Sequence, residues 1–133
     1  MKKILAGTAN PSKAERFREL LAELDAQIVT PQELQITQVP PETGSTPAQN
    51  AALKAVFYGK YHPYVVCNDS GLYFDALPFG DARQPGLHVR SPEGIRLTDD
   101  EMIAYYAKLV GTLGGSVQAY YLDGFAVYNR GKV

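Results

Sequence analysis

Within its first thirty residues the chain changes periodicity twice. Lys3 to Ala6 is a short apolar run of the kind found in buried strands, and it ends in Gly7-Thr8-Ala9-Asn10-Pro11. From there Ala14, Phe17, Leu20, Leu21 and Leu24 recur at the 3.6-residue spacing of an amphipathic helix. Asn10 is a candidate N-cap, and Pro11 suits the first helical position, where its missing N–H is no loss. Arg16, Arg18, Glu19 and Glu23 fall on the wet side. Gln27 to Thr30 is a second short strand. Strand, glycine-containing turn, helix, strand is the opening of an α/β fold, with a central mixed β-sheet and helices packed on it.

The remainder keeps that alternation. Residues 31–45 hold Pro31, Pro40, Pro41 and Gly44 and read as a loop that admits a short strand over Leu34–Val39. Thr46-Pro47-Ala48-Gln49 is a capping box that starts a second helix. Its small stripe (Ala48, Ala51, Ala52, Ala55, Val56) lets that helix sit close to a sheet. Tyr64 to Cys67 is a third strand, and after Asn68-Asp69-Ser70-Gly71 an extended run resumes over Leu72–Leu77. Residues 78–97 are mostly loop. Thr98-Asp99-Asp100-Glu101 opens a third helix with a core face of Met102, Ile103, Tyr106, Leu109, Val110 and Leu113, closed by Gly114-Gly115. Val117 to Tyr128 is strand-like, and Asp123-Gly124 is either a hairpin turn or a bulge in one long strand.

The 133 residues suit a single domain over 1–133, with 45% apolar and 20% charged residues. A formal net charge of −1 gives no global basic field, so no nucleic-acid coat and no membrane-surface role is suggested. One cysteine, Cys67, excludes an internal disulfide and a cysteine-rich zinc site. Lys2-Lys3 and the apolar residues after it mimic the start of a signal sequence, but the run stops at Thr8-Ala9-Asn10-Pro11. No stretch approaches the roughly 18–20 apolar residues of a membrane span. A cytoplasmic location is the expectation.

Four segments could carry chemistry. Thr8-Ala9-Asn10-Pro11-Ser12-Lys13 lies between a strand end and a helix start, where backbone N–H groups attract anions and Lys13 adds a charge. Asn68-Asp69-Ser70-Gly71 follows an apolar strand, and strand carboxyl ends are where α/β sheets bind ligands. An aspartate there can hold Mg²⁺ or activate water. Glu42-Thr43-Gly44 precedes the second helix, and Lys54 lies within it, off the alanine stripe. Each segment also has a plain reading: an N-cap, a polar turn, a loop glutamate, a surface lysine.

Their order is more specific than any one of them. Thr8-Ala9-Asn10-x-x-Lys13 resembles the Thr-Gly-Asn-x-x-Lys opening of the inosine triphosphate pyrophosphatase (Ham1-like) family. Glu42-Thr43-Gly44 with Asn50-Ala51 and Lys54-Ala55 is similar to that family's Glu-Thr-Gly…Glu-Asn-Ala-x-x-Lys-Ala stretch. Asp69-Ser70-Gly71-Leu72, Asp75-Ala76-Leu77 and Pro85-Gly86 resemble its Asp-Ser-Gly-Leu…Pro-Gly segment. The resemblance implies an ITPase-like fold with a reduced second lobe. It implies Mg²⁺-dependent hydrolysis of ITP, dITP or XTP to the monophosphate and pyrophosphate, by a homodimer. Thr8, Asn10, Lys13, Asn50, Lys54 and Ser70 would bind substrate, Glu42 and Asp69 would hold the metal, and Asp69 would be catalytic.

The sequence also departs from the pattern. Asn68 stands where the family has the first of two paired acids, Gln49 where it has a glutamate, and Ala9 where it has a glycine. The family's Gly-Phe-Gly-Tyr-Asp-Pro and Ser-His-Arg segments, used for the base and phosphates, have no counterpart before Val133. The resemblance covers the phosphate and metal half of the site. A working pyrophosphatase and a nucleotide-binding remnant with weak or lost turnover are both open, beside an interaction domain in which every motif is a cap or a turn.

Overall fold

The computed structural model describes residues 2–133. Its elements run β1 (Lys2–Ala6), α1 (Pro11–Leu20), β2 (Ala26–Val29), α2 (Pro47–Gly59), β3 (Tyr64–Phe74), α3 (Asp99–Thr112) and β4 (Ala119–Asn129). The strands form one mixed sheet in the order β2-β1-β3-β4. β1 pairs in parallel with β2, from Lys2 opposite Ala26 to Leu5 opposite Val29. On its other side β1 pairs in parallel with β3, Leu5 opposite Val65 and Ala6 opposite Val66. Arg130 N–H donates to Pro63 O and Asp75 N–H donates to Gln118 O, each at 2.9 Å, so β4 runs antiparallel to β3. No described helix is long and apolar enough to cross a membrane.

The chain forms two compact units. One comprises the residues up to Asp69 together with Asp123–Val133, the other Ser70–Leu122. In the first, side-chain alternation along the strands builds a core on each sheet face. Leu5, Val65 and Cys67 pack with Ala51, Ala55 and Tyr58 of α2. Ala6 and Ile28 point the other way and pack with Ala14 and Phe17 of α1. Of the small stripe expected on α2, Ala51 and Ala55 are fully buried, but Ala48 and Val56 are exposed, and the buried face takes in Asn50, Lys54 and Tyr58 instead.

Asp123-Gly124 neither turns the chain nor ends the strand: β4 runs through it. A Cβ on Gly124 would lie 2.5 Å from both the Ala48 Cα and the Pro47 carbonyl carbon. The glycine is there because the start of α2 passes against the strand. Asn68-Asp69-Ser70-Gly71, with the composition of a turn, also lies inside an unbroken strand. No strand forms over Leu34–Val39. Pro31 instead opens a helical turn in which Leu34 N–H reaches Thr30 O and Ile36 N–H reaches Pro31 O, with Gln35 at φ +58°. α1 stops at Leu20, short of Leu24, and both leucines are exposed.

In the second unit Tyr73 is buried, stacked on Phe79 at 4.8 Å and on Tyr120 at 5.7 Å. Gln84 fastens the long loop to the strand end. Its Oε1 accepts from Phe74 N–H at 2.5 Å, and its Nε2 donates to Phe74 O and Leu77 O at 3.1 Å. α3 carries the full capping box at Thr98 and Glu101. Its expected core face is only half-buried, and Ile103 is exposed.

Candidate active site

The winding of the first unit selects one place for a ligand. From β1 the chain crosses through α1 to β2 on one side, then through α2 to β3 on the other. Ligands of open α/β sheets bind at the strand carboxyl ends where the winding reverses in this way. A cavity of about 600 Å³ lies there, lined by the β1–α1 loop, Glu42, Lys54, Tyr58 and Asp69.

The loop is tied at both ends. Gly7 N–H donates to Val66 O and Thr8 N–H to Ala6 O, both at 2.8 Å. Thr8 Oγ1 accepts from Asn10 N–H at 3.1 Å, and Asn10 Oδ1 accepts from Ser12 N–H at 2.9 Å, capping α1. Lys13 then falls in the first helical turn, where an anion is favoured. Across the cavity the Lys54 ammonium lies 2.9 Å from Glu42 Oε1 and 3.5 Å from Asp69 Oδ1. Burial pulls its pKa down, but its hydrogen bond to Glu42 and the charge of Asp69 outweigh burial and hold it above the ordinary lysine value.

Lys13 is the opposite case. Burial first, and the Lys54 charge second, lower its pKa below 10.5. Among the described residues it has no ion-pair partner. The unfolded chain therefore holds this proton more tightly than the folded one. The cost is fully present at neutral pH and is relieved as pH rises from the folded pKa to 10.5. Lys13→Met is accordingly expected to raise the Tm of the ligand-free protein at pH 7 by about 1–2 °C. Melting curves from pH 7 to 11 check this, and the gap should close at the alkaline end.

The family model described as the Ham1 family matches residues 4–132. The chain belongs to the Ham1 family. It is 38% identical over 103 residues to a dITP/XTP pyrophosphatase of Leptospira interrogans, which covers 75% of this chain and 50% of that protein. It is 41% identical over 91 residues to a dITP/XTP pyrophosphatase of Oceanobacillus iheyensis, covering 66% of this chain and 44% of that one. The chain thus spans about half the length of the curated relatives it matches. Among solved structures, a HAM1 protein from Coxiella burnetii superposes with a TM-score of 0.82 at 26% identity, over 98% of this chain and 65% of that one. The Staphylococcus aureus Ham1 protein gives 0.76 at 27%, over 96% and 64%.

In this Ham1 chain Thr8, Asn10, Lys13, Glu42, Lys54 and Asp69 all line the one cavity. Asn50 does not. It is buried, and its Oδ1 accepts from Gly44 N–H at 2.7 Å, while Gln49 Oε1 accepts from Ser45 N–H at 2.7 Å. These two amides fasten the loop that carries Glu42. Ser70 is not among the lining residues and begins the second unit. Arg18 and Tyr58 are among the lining residues that the sequence did not single out. Arg18, read as wet, is half-buried over the cavity and paired with Glu33 at 3.1 Å and Glu15 at 3.3 Å. Tyr58 follows Lys54 by four residues, as Lys54 follows Asn50, so the three share a helix face. That spacing was the available signal.

The donor set limits what metal chemistry is possible. Among the described residues no group of three or more histidine, cysteine or acidic side chains is placed to hold a metal ion. Glu42 and Asp69 nevertheless meet on one cation, the Lys54 ammonium. Mg²⁺ needs only one or two carboxylates when phosphate oxygens and water complete its octahedron. The pair fits an ion that arrives with a phosphate ligand, not one caged by protein alone.

Proposed function

We propose that this domain binds a nucleoside triphosphate by its phosphates, with Mg²⁺, and hydrolyses non-canonical purine nucleotides such as dITP, XTP or ITP to the monophosphate and pyrophosphate. The observation that carries the reading is the meeting of two lysines and two carboxylates in one cavity at the carboxyl end of β1, beside Asp69 of β3. Lys13 and the start of α1 supply positive potential for one part of the phosphate chain, and Lys54 for another. Glu42 and Asp69, now on Lys54, would share Mg²⁺, which when bound neutralises phosphate charge. Asp69 would accept a proton from the water attacking the α-phosphorus, as the bond to the bridging oxygen breaks and pyrophosphate leaves. The base preference in this proposal is that of the related dITP/XTP pyrophosphatases. The test is pyrophosphate release from ITP, XTP, dUTP and ATP with and without Mg²⁺. Release favouring ITP or XTP supports the reading, and equal rates on ATP would remove the purine preference.

A second reading, a nucleotide-binding domain without useful turnover, has its own support. The residue before Asp69 is the neutral Asn68, and Asp69 is already paired with Lys54. Mg²⁺-dependent binding of ITP with no pyrophosphate release would favour it. A homodimer also belongs to the proposal. β4 is an edge strand, and its Phe125 and Val127 are exposed. Light scattering should give twice the chain mass, and a monomer at micromolar concentration would remove that part.

A further inference from the structure

Tyr58 is buried to 3% exposure yet lines the cavity. Its ring has no freedom to move away. One side lies on Gly7, where a Cβ would come within 2.7 Å of the ring carbon Cδ2, and Phe57 packs edge-on at 5.1 Å. The absence of a side chain at Gly7 is what lets the ring pass beneath the β1–α1 loop.

The hydroxyl at the end of that ring has no hydrogen-bond partner among the described residues. No buried side-chain oxygen or nitrogen among those residues is left unpaired. An unpaired hydroxyl on a residue this buried is therefore one that opens into the cavity. Lys54, one helical turn earlier, brings a positive charge to the same place, and Glu42 a negative one. Burial, and then the neighbouring Cys67, push the phenol above its ordinary value of 10, so it stays protonated at neutral pH and acts as a donor.

A fixed neutral donor beside a lysine suits a ligand oxygen that carries negative charge. We infer that Tyr58 is a substrate-binding residue whose hydroxyl donates a hydrogen bond to a phosphoryl oxygen of the bound nucleotide. This rests on the nucleotide reading above and adds a third phosphate ligand on the face of α2 that carries Lys54. The ring is positioned in advance, so little ordering is needed when the ligand arrives.

Tyr58→Phe removes the oxygen and keeps the ring. Its ligand-free Tm should match wild type. Calorimetric titration with inorganic pyrophosphate and with ITP, both in Mg²⁺, should show about tenfold weaker binding of each, the scale of a hydrogen bond to a charged group. Lys54→Met serves as the reference and should lose more. If wild type binds both probes, Lys54→Met loses them and Tyr58→Phe binds as wild type, the Tyr58 inference falls and the nucleotide reading stands. Weakened ITP binding with unchanged pyrophosphate binding would move the contact to the nucleoside and overturn the phosphoryl assignment. Wild type binding neither probe would overturn both.

Discussion

Exchanging Asp69 for asparagine is expected to slow pyrophosphate release from the preferred nucleotide by about 10²–10⁴-fold, the range for losing a positioned general base. Phosphate binding should survive. The amide keeps the shape of the side chain, and Glu42 at 2.9 Å remains to orient the Lys54 ammonium. Removing a negative charge 3.5 Å from that ammonium makes the cavity more positive, so pyrophosphate without metal should bind at least as tightly as before. Single-turnover release and a metal-free titration separate the two effects. A variant with full rate would take Asp69 out of the chemistry. A variant that no longer bound pyrophosphate would reduce it to an anchor for Lys54.

The largest stability effect is expected from a packing contact and not from a charge. Gly124→Ala places a Cβ 2.5 Å from the backbone of Pro47 and Ala48. Neither can swing aside as a side chain could, so strand and helix must separate. Overpacking of this kind costs about 1–3 kcal/mol where side chains yield, and the upper end or beyond is expected here. Gly111→Ala is the contrast. Nothing lies within 4 Å of its Cβ, and it sits inside α3, so alanine should stabilise by about 0.5–1 kcal/mol. Urea midpoints of the two variants should move in opposite directions. Equal shifts would mean that contact at residue 124 is relieved at little cost.

What the sequence made legible was local. Asn10 and Pro11, Thr46 and Pro47, and Thr98 with Glu101 each mark a helix start, and all three caps form. The motif residues of the β1–α1 loop meet Asp69 because β3 continues beyond its pairing with the end of β1, and Lys54 in mid-helix and Glu42 in the loop before α2 reach the same place. Local composition misled where tertiary pairing decides. Asn68 to Gly71 has turn chemistry but is held extended in β3. Asp123-Gly124 is likewise held straight in β4. Asn50 shares a helix face with Lys54 as anticipated, yet its amide is spent on Gly44. Tyr58 was hidden for a different reason: an aromatic at helical spacing reads as core, and this residue is both buried in the core and a lining residue of the cavity.

Lys13 and Lys54 stand on helices seated on opposite faces of the sheet, in two apolar layers with no residue in common. One layer holds α1 through Ala14 and Phe17, the other holds α2 through Ala51 and Ala55. A substitution in either layer can slide one ammonium while the other stays fixed. The span between the two cations, and with it the length of anion they can bridge, is therefore expected to respond to two separate sets of mutations, one in each layer.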